Sequence, residues 1–222
     1  MKYLKTYEES ESFDLFMKQV VADCQPYIKF LQECDDNILI DDSHKMLIRG
    51  MGKLDVDYQK ISEQMNRTSK DTPAHFHNFL NGLFEDKFGW KVRNGAFCFF
   101  RDYGRSGYGL NYYVFPIGDF EYCWSEDIND LFGHFEYDFN DIAELQYQLD
   151  YPGHNENIED IEIDLEHLTN EMEFKLDDAL NTYTDSDLES VPENVEISIR
   201  GDYYIINYKY KYDIFKYIYN QS

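Results

Sequence analysis

The sequence predicts an α+β domain in which N-terminal helices precede a mainly antiparallel sheet. Two observations predict it. Apolar residues recur at steps of three and four over residues 13–31, before any strand-like run. From residue 45 onward, short apolar or alternating runs are interleaved with further helix-period segments. No repeat and no interdomain linker stands out. Residues 1–222 therefore read as one domain, with a helical part at 1–44 and a core at 45–222.

In the first helix Phe13, Phe16, Met17, Val20, Cys24, Tyr27, Ile28 and Leu31 form the apolar stripe. Ser12 is the expected N-cap, and Pro26 is expected to kink or divide the helix. The run 45–49 reads as a strand ended by Gly50. A second helix follows Thr72 as cap and Pro73 in its first turn, and buries Phe76, Phe79, Leu80, Leu83 and Phe84. Residues 90–100, "WKVRNGAFCFF", read as a strand interrupted or bulged at Asn94-Gly95. Residues 101–109 carry three glycines and read as a loop. "LNYYVFPIG" is a buried strand ending at Pro116, and "DFEYCW" continues as strand. Ser125 is expected to cap a short acidic helix over "EDINDLF".

Between residues 150 and 196 the only Lys or Arg is Lys175. Ile158, Ile161, Leu165, Leu168, Met172, Leu176 and Ala179 still keep the helical step, so 158–180 reads as an amphipathic helix with a carboxylate-covered face. "VEISI" and "YYIINYKYKY" close the chain as two strands, expected as a hairpin around Gly201-Asp202.

With 44 Asp and Glu against 20 Lys and Arg, the net charge is -24. Such a chain repels nucleic acid and anionic membrane as non-specific partners. The same charge permits imitation of nucleic acid in a basic groove. Mean hydropathy is -0.63, yet 20 Tyr and 17 Phe supply apolar bulk and argue against disorder. A Tyr-rich core should be amphipathic, with phenol groups reaching partners. Cys24, Cys34, Cys98 and Cys123 form no CxxC pair, which suits a reduced cytoplasmic chain. No apolar signal-like segment and no run of about 18 apolar residues is present.

Several residues have types suited to chemistry. Arg49-Gly50 suits an anion clamp, because guanidinium is a planar fork of donors and glycine lets a diphosphate approach the backbone. A strand-ending structural arginine is the plainer reading. Arg93, Asn94 and Gly95, with Phe97, Phe99, Phe100 and Tyr103, could border a flat ring such as nicotinamide; alternate core phenylalanines are the plainer reading. Glu193 and Glu196 stand at a strand entry, where a carboxylate could stabilise an oxocarbenium-like centre. His75 and His77, two residues apart on a helix, diverge and do not make a metal pair, so no metal site is expected.

Taken in order, "LIRG", "VRNGAFCFF" and "VEISI" resemble the Arg-Ser-Glu class of ADP-ribosyltransferases. The segments "FGWKVRNGAFCFF", "YGLNYYVFPIGDFEYCWSEDINDLF" and "TYTDSDLESVPENVEISIRGDYYII" are also similar to uncharacterised proteins of tailed bacteriophages, over most of residues 45–208. The resemblance implies a split antiparallel sheet and NAD as substrate. It implies that Arg49 holds the dinucleotide and Glu196 contacts the nicotinamide ribose. Arg93, Asn94, Phe97, Phe99 and Tyr103 would border the cofactor. Two positions depart from the class: Asn94 stands near the family's serine, and Asn194 stands where protein-modifying members often carry Glu or Gln.

The mechanism implied is mono-ADP-ribosyl transfer to a host protein or nucleic acid, in the host cytoplasm. The alternative is a non-catalytic acidic inhibitor that occupies a basic groove of a host defence protein through the face of the 158–180 helix.

Overall fold

The computed structural model describes residues 2–34, 45–52, 54–67, 72–100, 109–151 and 157–219. The fold is α+β, with two antiparallel sheets. The chain divides into two compact units. The first comprises Met1–Glu63, Ala96–Tyr122 and Asp187–Ser222; the second comprises Gln64–Gly95 and Cys123–Ser186. Among the described residues, no helix is long and apolar enough to cross a membrane.

The first unit opens with α1 (Lys2–Asp23) and α2 (Gln25–Cys34). The break falls at Cys24, two residues before Pro26. Pro26 then sits in the first turn of α2, where a missing N–H removes no helical bond. Ser12 is not a cap, because α1 begins ten residues earlier; its hydroxyl instead accepts from Tyr58 Oη at 3.1 Å.

The four-stranded sheet of this unit runs in the order β1-β4-β8-β2, all antiparallel, with β1 Ile48–Met51, β2 Tyr58–Ile61, β4 Leu110–Pro116 and β8 Tyr203–Asn207. Gly50 does not end β1; it pairs with Asn111 inside it. Gly109 shows why the adjoining turn needs glycine. Its φ is +108°, and a Cβ there would stand 2.2 Å from the Met51 carbonyl oxygen.

A second ladder joins β3 (Ala96–Cys98) to β7 (Ile197–Arg200). Of the strand expected at 90–100, interrupted at Asn94-Gly95, only the three residues Ala96–Cys98 form a strand. Val92–Asn94 forms a 3₁₀ turn and pairing starts only at Ala96. β7 and β8 flank the Gly201-Asp202 turn but do not pair with each other, so the expected hairpin is absent. β7 bonds β3, while β8 bonds β4 and β2. Asp202 anchors the turn to the first sheet: its carboxylate meets Lys60 at 2.8 Å and accepts from the Glu63 N–H.

Met17, Val20, Tyr27 and Leu31 from the two helices, Ile205 and Ile206 from β8, and Ile214 and Ile218 from α7 (Lys211–Tyr219) are buried in this unit. Tyr27 is fully buried, and its hydroxyl accepts from Leu47 N–H at 2.7 Å. Tyr204 Oη donates to Asp23 at 2.6 Å. Burying a ring with its hydroxyl partnered keeps the apolar gain without an unsatisfied donor.

The second unit is built on α3 (Ala74–Phe88), α4 (Leu131–His134), α5 (Glu136–Asp150) and α6 (Ile158–Leu180). β5 (Glu121–Ser125), whose last three residues belong here, pairs with β6 (Tyr183–Thr184). Pro73 occupies the cap position of α3, ahead of Ala74, and Gly89 closes the helix in the left-handed conformation. Ser125 Oγ accepts from the N–H groups of Asp127 and Ile128, but the helix after it starts only at Leu131 and is capped by Asp130.

Phe76, Leu80 and Phe84 pack with Trp90, Phe139, Met172 and Leu176 in the core of this unit. α6 has the bounds that its periodicity predicts. Its stripe is shifted, however: Ile158 is exposed, while Leu180 is buried. Lys87 Nζ donates to the carbonyls of Leu180 and Tyr183 at 2.7 and 3.0 Å, neutralising the negative end of α6.

Candidate functional site

Arg49 lies in β1 of the first unit, facing Tyr112 of β4 in register. On its other edge β1 touches β3 through one bridge. Ile48 N–H donates to Phe99 O at 2.7 Å, and Phe99 N–H donates to Ile48 O at 2.9 Å. β3 in turn pairs with β7, with Cys98 opposite Ile197, the residue after Glu196. Arg49 and Glu196 thus stand on the outer strands of a β1-β3-β7 arrangement. Two interstrand steps separate their backbones by about 10 Å.

Cys98 lies between them and is fully buried. Burial pushes its thiol up to about 12; the Arg49 guanidinium pulls it down and the Glu196 carboxylate raises it further. Both charges therefore act on one thiol. Arg49 Nη1 is buried and has no hydrogen-bond partner among the described residues. Leaving such a donor unpaired is unfavourable unless something else accepts from it.

Register also distributes the side chains. Phe97 pairs with Ser198, and continuing one step sets Phe99 opposite Glu196. By strand alternation these residues share one face, while Ala96, Cys98, Ile197 and Ile199 point into the core. Phe97, Phe99 and Glu196 are all half-buried. The same alternation, taken through the bridge, sets Arg49 level with Cys98 and so on the opposite face of the strands from Phe97, Phe99 and Glu196. Glu196 precedes β7, where the ladder has not begun, and its charge still reaches Cys98.

Burial lowers the proton affinity of Lys45, against smaller raising effects of Cys34 and of the Glu193 charge. Lys45 Nζ donates to Val191 O at 2.6 Å and lies 4.8 Å from the Phe100 ring centre, which fixes the chain just ahead of Glu196. Asn194 is exposed. Tyr103 lies outside the described residues, as does most of the 101–109 loop.

Arg93 and Asn94 belong to the second unit. Arg93 is buried, and its backbone N–H donates to Asn81 Oδ1 at 3.0 Å. Asn94 Oδ1 meets His77 Nε2 at 3.2 Å and Asn81 Nδ2 at 3.1 Å, and its own amide donates to Met65 O at 2.5 Å. These residues stand beside a pocket of about 430 Å³ lined almost wholly by polar side chains. His77 is 5% exposed and held neutral by burial, with smaller opposing help from Asn94. Its Nδ1 makes no hydrogen bond of normal geometry among the described residues, although the Arg67 backbone raises the ring's proton affinity.

His75, by contrast, is exposed and contacts Glu173 at 2.8 Å, so the two histidines of α3 diverge. Asn94 was legible in the sequence as a cofactor-bordering residue, and His77 as half of a non-metal histidine pair, but their meeting with Asn81 was not, nor was the place of Cys98 between Arg49 and Glu196. The one signal for Cys98 was that it interrupts an aromatic run; His77 and Asn81 share a four-residue helical step with the apolar stripe.

No family model matches the chain, and neither the curated proteins nor the solved structures compared with it give a match.

Proposed function

We propose that the chain is a bacteriophage accessory protein that acts on its host by NAD-dependent mono-ADP-ribosyl transfer, with Arg49 and Glu196 as the working pair. What supports this reading is that the Arg49 guanidinium and the Glu196 carboxylate both act on the Cys98 thiol across the β1-β3-β7 strands, although register sets Arg49 on the Cys98 face and Glu196 on the Phe99 face, and that Arg49 Nη1 is buried without a hydrogen-bond partner among the described residues. An NAD diphosphate would accept from that nitrogen. Phe97 and Phe99, on the half-buried face shared with Glu196, would pack the nicotinamide.

As the bond between nicotinamide and the ribose C1′ breaks, its electron pair leaves with nicotinamide. The carboxylate of Glu196 then stabilises the ribosyl cation until an acceptor's lone pair bonds to C1′ and the acceptor's proton passes to water. Position and fixed charge carry such a reaction; no covalent step on the protein is needed. The host acceptor is a protein side chain or a nucleic acid. Nicotinamide release from NAD, compared between the wild type and Glu196→Gln, tests the reading.

A second reading rests on its own observation. α5 carries five carboxylates and α6 nine, and their one Lys, Lys175, is already paired with Asp138 at 2.7 Å and Glu171 at 2.9 Å. Tyr137 and Phe174 stand 83% and 74% exposed on these helices. This surface suits a basic groove of a host defence protein. Salt-sensitive binding competed by DNA or RNA supports it, and binding that survives charge reversal on α6 excludes it.

A further inference from the structure

The polar pocket of the second unit is distinct from the residues assigned to NAD chemistry in the first. In a chain of net charge -24, its walls carry two cations, Arg67 and Lys91, and one carboxylate, Glu85. Lys91 Nζ is 3.9 Å from Glu85, and both side chains are about half exposed, so the pair is loose. With His77 neutral, the pocket carries net positive charge locally.

The rest of the lining is amide. Asn81 and Asn94 are fixed by their bonds to His77 and to the Arg93 and Met65 backbones. The side chains of Asn66 and Asn78 make no hydrogen bond among the described residues, and both residues are exposed. Amides donate and accept at once, which matches the hydroxyls of a sugar. Among the described residues, no Phe, Tyr, Trp or aliphatic side chain lines the pocket, so they offer no stacking face for a nucleobase.

Gly82 is part of the same lining. Gly82 lies inside α3, where glycine is unfavourable, and a Cβ there would meet nothing within 4 Å. A side chain grown from this exposed position would start in open space at the pocket lining.

We propose that this pocket binds a small phosphorylated sugar, its phosphate on Arg67 and Lys91 and its hydroxyls on the asparagine amides. A pentose phosphate fits within about 430 Å³ with room for bridging waters. Because α3 gains helix propensity when glycine is replaced, Gly82→Leu separates binding from folding: it fills the pocket without unfolding the unit.

The experiment is calorimetric titration of the full chain with ribose 5-phosphate, ribose and inorganic phosphate. The wild type, Gly82→Leu and Lys91→Gln are compared, with thermal melts as the folding control. The expected result is one site per chain, at least about tenfold tighter for ribose 5-phosphate than for ribose or phosphate. Gly82→Leu abolishes it with an unchanged or higher melting temperature, and Lys91→Gln weakens it by about tenfold. Three results overturn the proposal: no binding by any probe, phosphate alone binding as tightly as the sugar phosphate, or undiminished affinity in a folded Gly82→Leu protein. If Gly82→Leu does not fold, Lys91→Gln decides, and unchanged affinity there overturns it.

Discussion

Ile48 and Phe99 exchange two backbone hydrogen bonds, at 2.7 and 2.9 Å, and through that bridge Arg49 is joined to the ladder that leads to Glu196. An isolated bridge makes the junction sensitive to the neighbouring backbone. The tightest neighbour is Gly109, whose positive φ and 2.2 Å Cβ clearance to Met51 O leave no space for a side chain. Gly109→Ala is expected to destabilise the protein by about 3 kcal/mol, read as a lower urea midpoint at unchanged slope.

Arg49 offers a sharper test, because a structural arginine and a ligand-binding arginine predict opposite signs. Its Nη1 is buried without a partner among the described residues. Arg49→Met removes an unsatisfied donor and keeps the apolar stem, so stability should stay level or rise by up to about 2 kcal/mol while NAD-dependent activity is lost. Marked destabilisation in urea, with activity falling only in proportion to the folded fraction, would make Arg49 structural.

Thiol chemistry reports on the same region. Burial pushes the Cys24 and Cys98 thiols up to about 12 and raises Cys123 as well. Cys34 is half-buried near the end of α2. At pH 8 the folded protein should take up one alkyl group, at Cys34, and the unfolded protein four, counted by mass spectrometry. Rapid alkylation of Cys98 in the folded chain would contradict the packing described for β3.

His77 gives a pH dependence whose sign follows from its burial. Its folded pKa lies below the unfolded value of 6.5, so the unfolded chain binds the proton more readily. The stability it contributes is present above about 6.5 and is lost as pH falls through the lowered folded value. The urea stability difference between the wild type and His77→Gln should therefore shrink between about pH 7.5 and pH 5. A difference that stays constant would mean that His77 titrates alike in both states.

The patterns most legible in the sequence were those with a long period. α6 keeps its predicted bounds because a 23-residue apolar stripe overrides local charge repulsion. The break before Pro26 and the strand ending at Pro116 were legible because proline acts locally. What misled was local chemistry whose outcome depends on distant partners. Ser12 has cap chemistry but sits inside α1, and Gly201-Asp202 has turn chemistry but joins strands of different ladders. Arg49 and Glu196 are marked in the sequence only by their surroundings, and only the β1-β3-β7 pairing relates them. Asn94 was chosen for the same site, yet its hydrogen bonds tie it to His77 and Asn81 in the second unit.

The most direct test of the transferase reading is nicotinamide release from NAD, followed by chromatography, for the wild type, Arg49→Gln and Glu196→Gln. The account predicts measurable release by the wild type and a loss of at least about 100-fold in Glu196→Gln, the scale of removing one charge-stabilising group. Both variants should keep the wild-type melting profile. Equal release by the wild type and folded Glu196→Gln would contradict it.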